Sequence, residues 1–136
     1  MTKIEFNNNE QVFMESSVSY LKSKINVLQG TGYLTSKRFV FCKRTGLMNA
    51  LLGGLLVHLV KGKNIMFEIN LDNIESINGL KHGFAKKYIL KDKNGNEYAL
   101  QFVKKDKWLT AIKEAIKFNN PLVNINQVGD YIQFKL

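Results

Sequence analysis

Apolar and polar positions alternate with a period of two over most of the chain, the spacing a half-buried strand imposes. From Val18 to Leu28, Leu21, Ile25 and Val27 share one parity and Lys22, Lys24 and Asn26 take the other. Gln29-Gly30-Thr31-Gly32 then supplies a turn. Gly32 to Phe41 reads as a strand, a tight turn at Thr35-Ser36 and a second strand. In that second strand Phe39 and Phe41 share a face and Val40 and Cys42 take the other, so both faces are apolar and the strand lies inside the sheet or under another element. Phe67 to Ile77 reads as a strand and a bend into another strand. Phe84 to Lys91 and Glu97 to Val103 flank Asp92-Lys93-Asn94-Gly95, a hairpin signal because Asn and Gly both tolerate positive φ. Tyr88, Leu90, Tyr98, Leu100 and Phe102 form one expected buried face across it.

The period then changes. Trp108, Ala111, Ile112, Ala115 and Ile116 recur at helical spacing behind Asp106, a fair N-cap, and Asn119-Asn120-Pro121 ends the helix. Tyr131 to Leu136 alternates again, and Val128-Gly129-Asp130 turns it back on Leu122 to Asn126. Met1 to Glu15 is polar and irregular and reads as an arm. The expectation is mainly β: a bent antiparallel sheet or barrel, with one amphipathic helix carrying Trp108 into its open end and extra β-structure after it.

The strand pattern of Gly32 to Phe41 and of Phe67 to Ile77, followed by a single helix, resembles a GRAM domain, a variant of the pleckstrin-homology (PH) fold, of the bacterial PH-like type. The resemblance covers about Ser17 to Phe118. It divides the chain into an arm at 1–16, a domain at 17–118 with an apolar insertion at 46–64, and a β extension at 119–136. It implies a non-catalytic binding module. In PH-like proteins the loop joining the first two strands often holds phosphoinositides through basic residues. The similar place here is near Gln29 to Gly32, which carries no lysine. The expectation is therefore a diffuse cationic field acting on anionic lipid.

Charge fits that expectation. The 136 residues carry 20 Lys+Arg against 11 Asp+Glu, a formal net charge of +9, which favours anionic partners. Lys22, Lys24, Lys37, Arg38, Lys43, Arg44, Lys61 and Lys63 are the candidate headgroup-binding residues. The last four flank Leu47 to Val60, a nearly continuous apolar run too short to span a bilayer as a helix, which needs about 20 residues. Leucines between cationic flanks suit interfacial insertion, so Leu51, Leu52, Leu55 and Leu56 are candidate membrane contacts. A run with no polar face equally suits packing over the sheet or a self-association interface, and a protein partner is the alternative to anionic phospholipid. Nucleic acid fits poorly, because Phe39, Phe41, Tyr98 and Phe102 fall on core parities instead of standing exposed for stacking.

No catalytic or metal-binding set emerges, and no cofactor is expected. His58 and His82 lack motif partners. Cys42 sits mid-strand, as an inert thiol would, and a lone cysteine forms no intramolecular disulfide, which points to a reducing compartment. Gly53-Gly54 and Lys61-Gly62-Lys63 miss the phosphate-loop spacing. Asp92, Asn94 and Asn96 begin like a calcium loop, but position six is Glu97 and position twelve is Val103. The first residues lack an apolar signal region, so the expected setting is cytoplasmic, at the inner surface of a membrane.

Overall fold

The computed structural model describes residues 10–43, 65–83 and 85–135. Among these residues nine strands form one antiparallel sheet: β1 (Val12–Leu21), β2 (Val27–Thr35), β3 (Arg38–Lys43), β4 (Ile65–Asn70), β5 (Ile74–His82), β6 (Ala85–Asp92), β7 (Glu97–Phe102), β8 (Asn124–Val128) and β9 (Tyr131–Lys135). Helix α1 (Lys105–Asn119) lies between β7 and β8, and a 3-10 turn at Leu71–Asn73 joins β4 to β5. The strand order is β4-β3-β2-β1-β7-β6-β5-β9-β8, so the sheet bends without closing and ends on β4 and β8.

The helix is held by its tryptophan. Trp108, Ala111, Ile112, Ala115 and Ile116 are buried, the stripe that the spacing predicts. The indole is fully buried. It stacks on Phe102 with ring centroids 5.1 Å apart and meets Phe39 edge-on at 5.7 Å. Its Nε1 donates to Ser16 Oγ at 2.6 Å, satisfying the one polar atom that burial would otherwise strand. Across β2 from Ser16 is Gly32, where a Cβ would stand 2.9 Å from the indole and 2.8 Å from Val18. At the other end of α1, Asn119 Nδ2 donates to Asp72 Oδ1 at 2.6 Å, tying the helix to the 3-10 turn.

Several local expectations are corrected. The strand expected over Val18 to Leu28 is a hairpin: Asn26 O accepts from the backbone N–H groups of Lys22 and Ser23, and Ser23 Oγ accepts from Asn26 N–H at 3.1 Å. Gly30 and Gly32, expected in a turn, lie inside β2, because Phe41 and Trp108 press on the backbone there. Ile25, expected inward, is 97% exposed at the hairpin tip. The Asn94-Gly95 turn has only Gly95 at positive φ (90°), because Asp92 organises a longer loop: its Oδ1 accepts from the N–H groups of Asn94 and Asn96, both at 2.9 Å. The helix starts at Lys105, so Asp106 sits in its first turn and Lys104 is the N-cap. In addition, β1 begins at Val12, within the stretch read as an irregular arm.

Trp108→Ala should destabilise the protein by about 3–5 kcal/mol in urea denaturation, the cost of emptying a large core site. An unchanged melting temperature would refute the helix-plug account.

Candidate functional site

Strand direction sorts the candidate basic residues into two groups. Both β1 and β3 run antiparallel to β2. The loop after β1, residues 22–26, and the end of β3 at Lys43 therefore share one end of the sheet. Lys22, Lys24 and Lys43 are exposed there. Lys37 lies in the β2–β3 turn at the opposite end, also exposed. The first loop, expected at Gln29 to Gly32, lies at 22–26 and so includes the lysines that the expectation set apart from it.

Arg38 is committed elsewhere. Its Nε is 3.0 Å and its Nη1 2.8 Å from the carboxylates of Glu10 and Glu68 respectively. Thr35 Oγ1 donates to the same Glu10 oxygen at 2.5 Å and accepts from the N–H groups of Lys37 and Arg38, which shapes the turn. Burial works against the Arg38 charge, but hydrogen bonds and attraction from Glu10, with a smaller contribution from Glu68, outweigh it and raise its pKa. A guanidinium so paired is structural, and a headgroup would have to displace a buried carboxylate to reach it. Arg44, Lys61 and Lys63, with Leu51, Leu52, Leu55 and Leu56, lie outside the described residues.

What surrounds Lys22 and Lys24 was not legible from the sequence. The backbone bonds of the loop hold Lys24 and Ile25 at the tip, and Val27, 42% exposed, starts the next strand. Beneath the tip Tyr20 meets Phe67 at 5.1 Å and Phe41 at 5.7 Å. Phe67 stacks on Tyr98 at 4.3 Å, joining β4 to β7 through side chains where no strand pairing does. Rings thus line the interior from Trp108 through Phe39 and Phe67 to Tyr20. The basic tip rests on a packed aromatic floor.

The remaining chemistry is sparse. Among the described residues no group of three or more His, Cys, Asp or Glu side chains could hold a metal ion, and no helix is long and apolar enough to cross a membrane. Tyr33, Val40 and Cys42 are buried on the face of β2 and β3 that points away from Trp108. Burial pushes the Cys42 thiol up to about 12, with the charge of Arg38 pulling it partly back.

No family model matches the sequence, and no curated protein matches it. Solved structures do. The linker-DH/PH domains of p115-RhoGEF superpose with a TM-score of 0.59 at 11% identity over 81% of this chain and 30% of that one. The C-terminal domain of an unknown protein from Leishmania infantum gives 0.57 at 14% identity over 79% of this chain and 84% of that one. The DH/PH domain of human ARHGEF11, in a ternary complex with human RhoA and its inhibitor, gives 0.54 at 15% identity over 79% and 29%. The chain therefore spans less than a third of the two DH/PH structures. Identities this low speak for the fold alone, and that fold is PH-like: a mainly β, open antiparallel sheet with one helix towards the C-terminus.

Cys42 should resist iodoacetamide at pH 8, with modification following global unfolding, because a buried thiol titrating near 12 offers almost no thiolate. Stoichiometric labelling of the folded protein within minutes would contradict this placement.

Proposed function

We propose that the chain is a non-catalytic binding module that docks on anionic phospholipid at the cytoplasmic surface of a membrane, leading with the β1–β2 tip. The observation that carries this reading is Ile25, 97% exposed on a hairpin tip beside Lys24 and Lys22. A large aliphatic side chain gains nothing in water, whereas an apolar tip ringed by cations matches an acyl boundary under acidic headgroups. Each lysine near such a surface contributes about 1 kcal/mol, and burying the isoleucine about 2 kcal/mol. With Lys43 included the total is about 5 kcal/mol, enough for reversible docking that a second contact would strengthen. Leu51, Leu52, Leu55 and Leu56, between Arg44, Lys61 and Lys63, are proposed as that second contact. Within the PH superfamily, the GRAM branch is supported by the sequence pattern of Gly32 to Phe41 and Phe67 to Ile77.

A protein partner is the second reading. The ARHGEF11 DH/PH domain is found with RhoA, and the same leucines would then form a protein contact or a self-association interface.

Co-sedimentation with vesicles of phosphatidylcholine, with and without phosphatidylserine, separates the readings. Binding should require phosphatidylserine, weaken steeply with salt, and fall at least tenfold in the Lys22→Glu, Lys24→Glu, Ile25→Asp variant with its melting temperature retained. Binding that ignores phosphatidylserine or those three substitutions would remove the tip from the mechanism. A concentration-dependent dimer with no vesicle binding would favour the second reading.

A further inference from the structure

The sheet ends on β8, and among the described residues nothing guards this edge. An edge strand offers a row of N–H and C=O groups to any extended chain, and native proteins blunt it with charge, proline or a bulge. Asn124-Ile125-Asn126-Gln127-Val128 has no charged residue and no proline, and it pairs with β9 in unbroken register from Asn124↔Lys135 to Val128↔Tyr131. Alternate residues of an antiparallel strand bond to one neighbour only, so half of the β8 backbone groups point outward. Apolar side chains stand at both ends of the edge: Leu122 is 84% exposed and Val128 79% exposed.

Cations flank it on the helix side. Lys113 Nζ reaches Gln127 Oε1 at 3.1 Å and Lys117 Nζ reaches Val123 O at 3.1 Å. Both lysines hydrogen-bond neutral acceptors, and among the described residues neither is in an ion pair. Carboxylates would make shorter, stronger charge-assisted bonds in place of these. The spacing also fits. Lysines at i and i+4 on a helix stand about 6 Å apart, and residues at i and i+2 of a strand about 6.7 Å apart. A second copy of the chain fits worse, because a two-fold pairing of β8 with itself would oppose Lys113 and Lys117 to their own counterparts in a molecule already at +9.

We propose that β8 is a docking edge for an acidic extended peptide, which adds as a tenth strand and places carboxylates at alternate positions against Lys113 and Lys117. This surface is separate from the β1–β2 tip and serves a protein partner whether or not the tip meets lipid.

The test uses the full chain, isotopically labelled, and two synthetic probes: acetyl-Thr-Glu-Val-Glu-Val-Glu-Thr-amide and the same peptide with lysine at each glutamate. The acidic probe should shift and protect the amides of Ile125 to Val128 and bind at least tenfold more tightly than the basic one. Lys113→Glu with Lys117→Glu should reverse that preference in a protein that still folds, as its amide spectrum would show, since Lys117 is exposed and Lys113 half-buried. Equal binding of the two probes, absence of binding, or shifts confined to other strands would overturn the proposal. So would sedimentation as a β8-dependent dimer, which would assign the edge to a second copy.

Discussion

The seat of the Trp108 indole on β2 is the contact on which the rest of the structure depends. A bent sheet that does not close leaves an apolar interior open to water, and only a bulky side chain from a covering element can fill it. The indole enters because Gly32 offers bare backbone, and a Cβ there would lie 2.9 Å from the ring. Ser16, opposite Gly32 on β1, takes the indole N–H. Two small residues on adjacent strands thus accept one large residue from a helix far away in sequence, and Phe39 and Phe102 complete the walls. Burial of this ring and of Ile112, Ala115 and Ile116 fixes the helix, and the helix fixes where the chain re-emerges to build β8 and β9.

Much of this was written in periodicity. The helical stripe and the two-faced burial of β3 follow from apolar spacing, and the β6–β7 hairpin from alternating runs either side of Asn94-Gly95, because each of these signals is local. The glycines did not follow. Gly30 and Gly32 look like a turn, and nothing local distinguishes a glycine that bends a chain from one that admits a ring. The demand comes from Trp108, 76 positions away from Gly32 in the numbering. That one misreading moved the first hairpin, turned Ile25 inward and parted Lys22 and Lys24 from the loop they occupy. Arg38 was misjudged for a related reason: its partners Glu10 and Glu68 come from two distant segments, so its charge read as free.

The consequence for function is a division of labour along the sheet. The end that holds the helix is occupied by the plug, while the β1–β2 end carries a tight loop whose backbone bonds hold a lysine and an isoleucine outward over packed rings. A loop so anchored loses little freedom on meeting a surface, which favours binding. The C-terminal hairpin extends the far side of the sheet by adding β9 to β5, moving the open edge from the domain to β8. The tip and the edge are separate surfaces, so the two proposed contacts do not compete.

The dependence on the indole seat is measured most directly by a double-mutant cycle of Gly32→Ala and Trp108→Phe, followed by urea denaturation. If the ring occupies the space above Gly32, the added methyl should cost about 1–3 kcal/mol beside tryptophan. It should cost at least about 1 kcal/mol less beside the smaller phenylalanine, a coupling expected of residues in contact. Strictly additive effects would contradict the account and place the indole elsewhere.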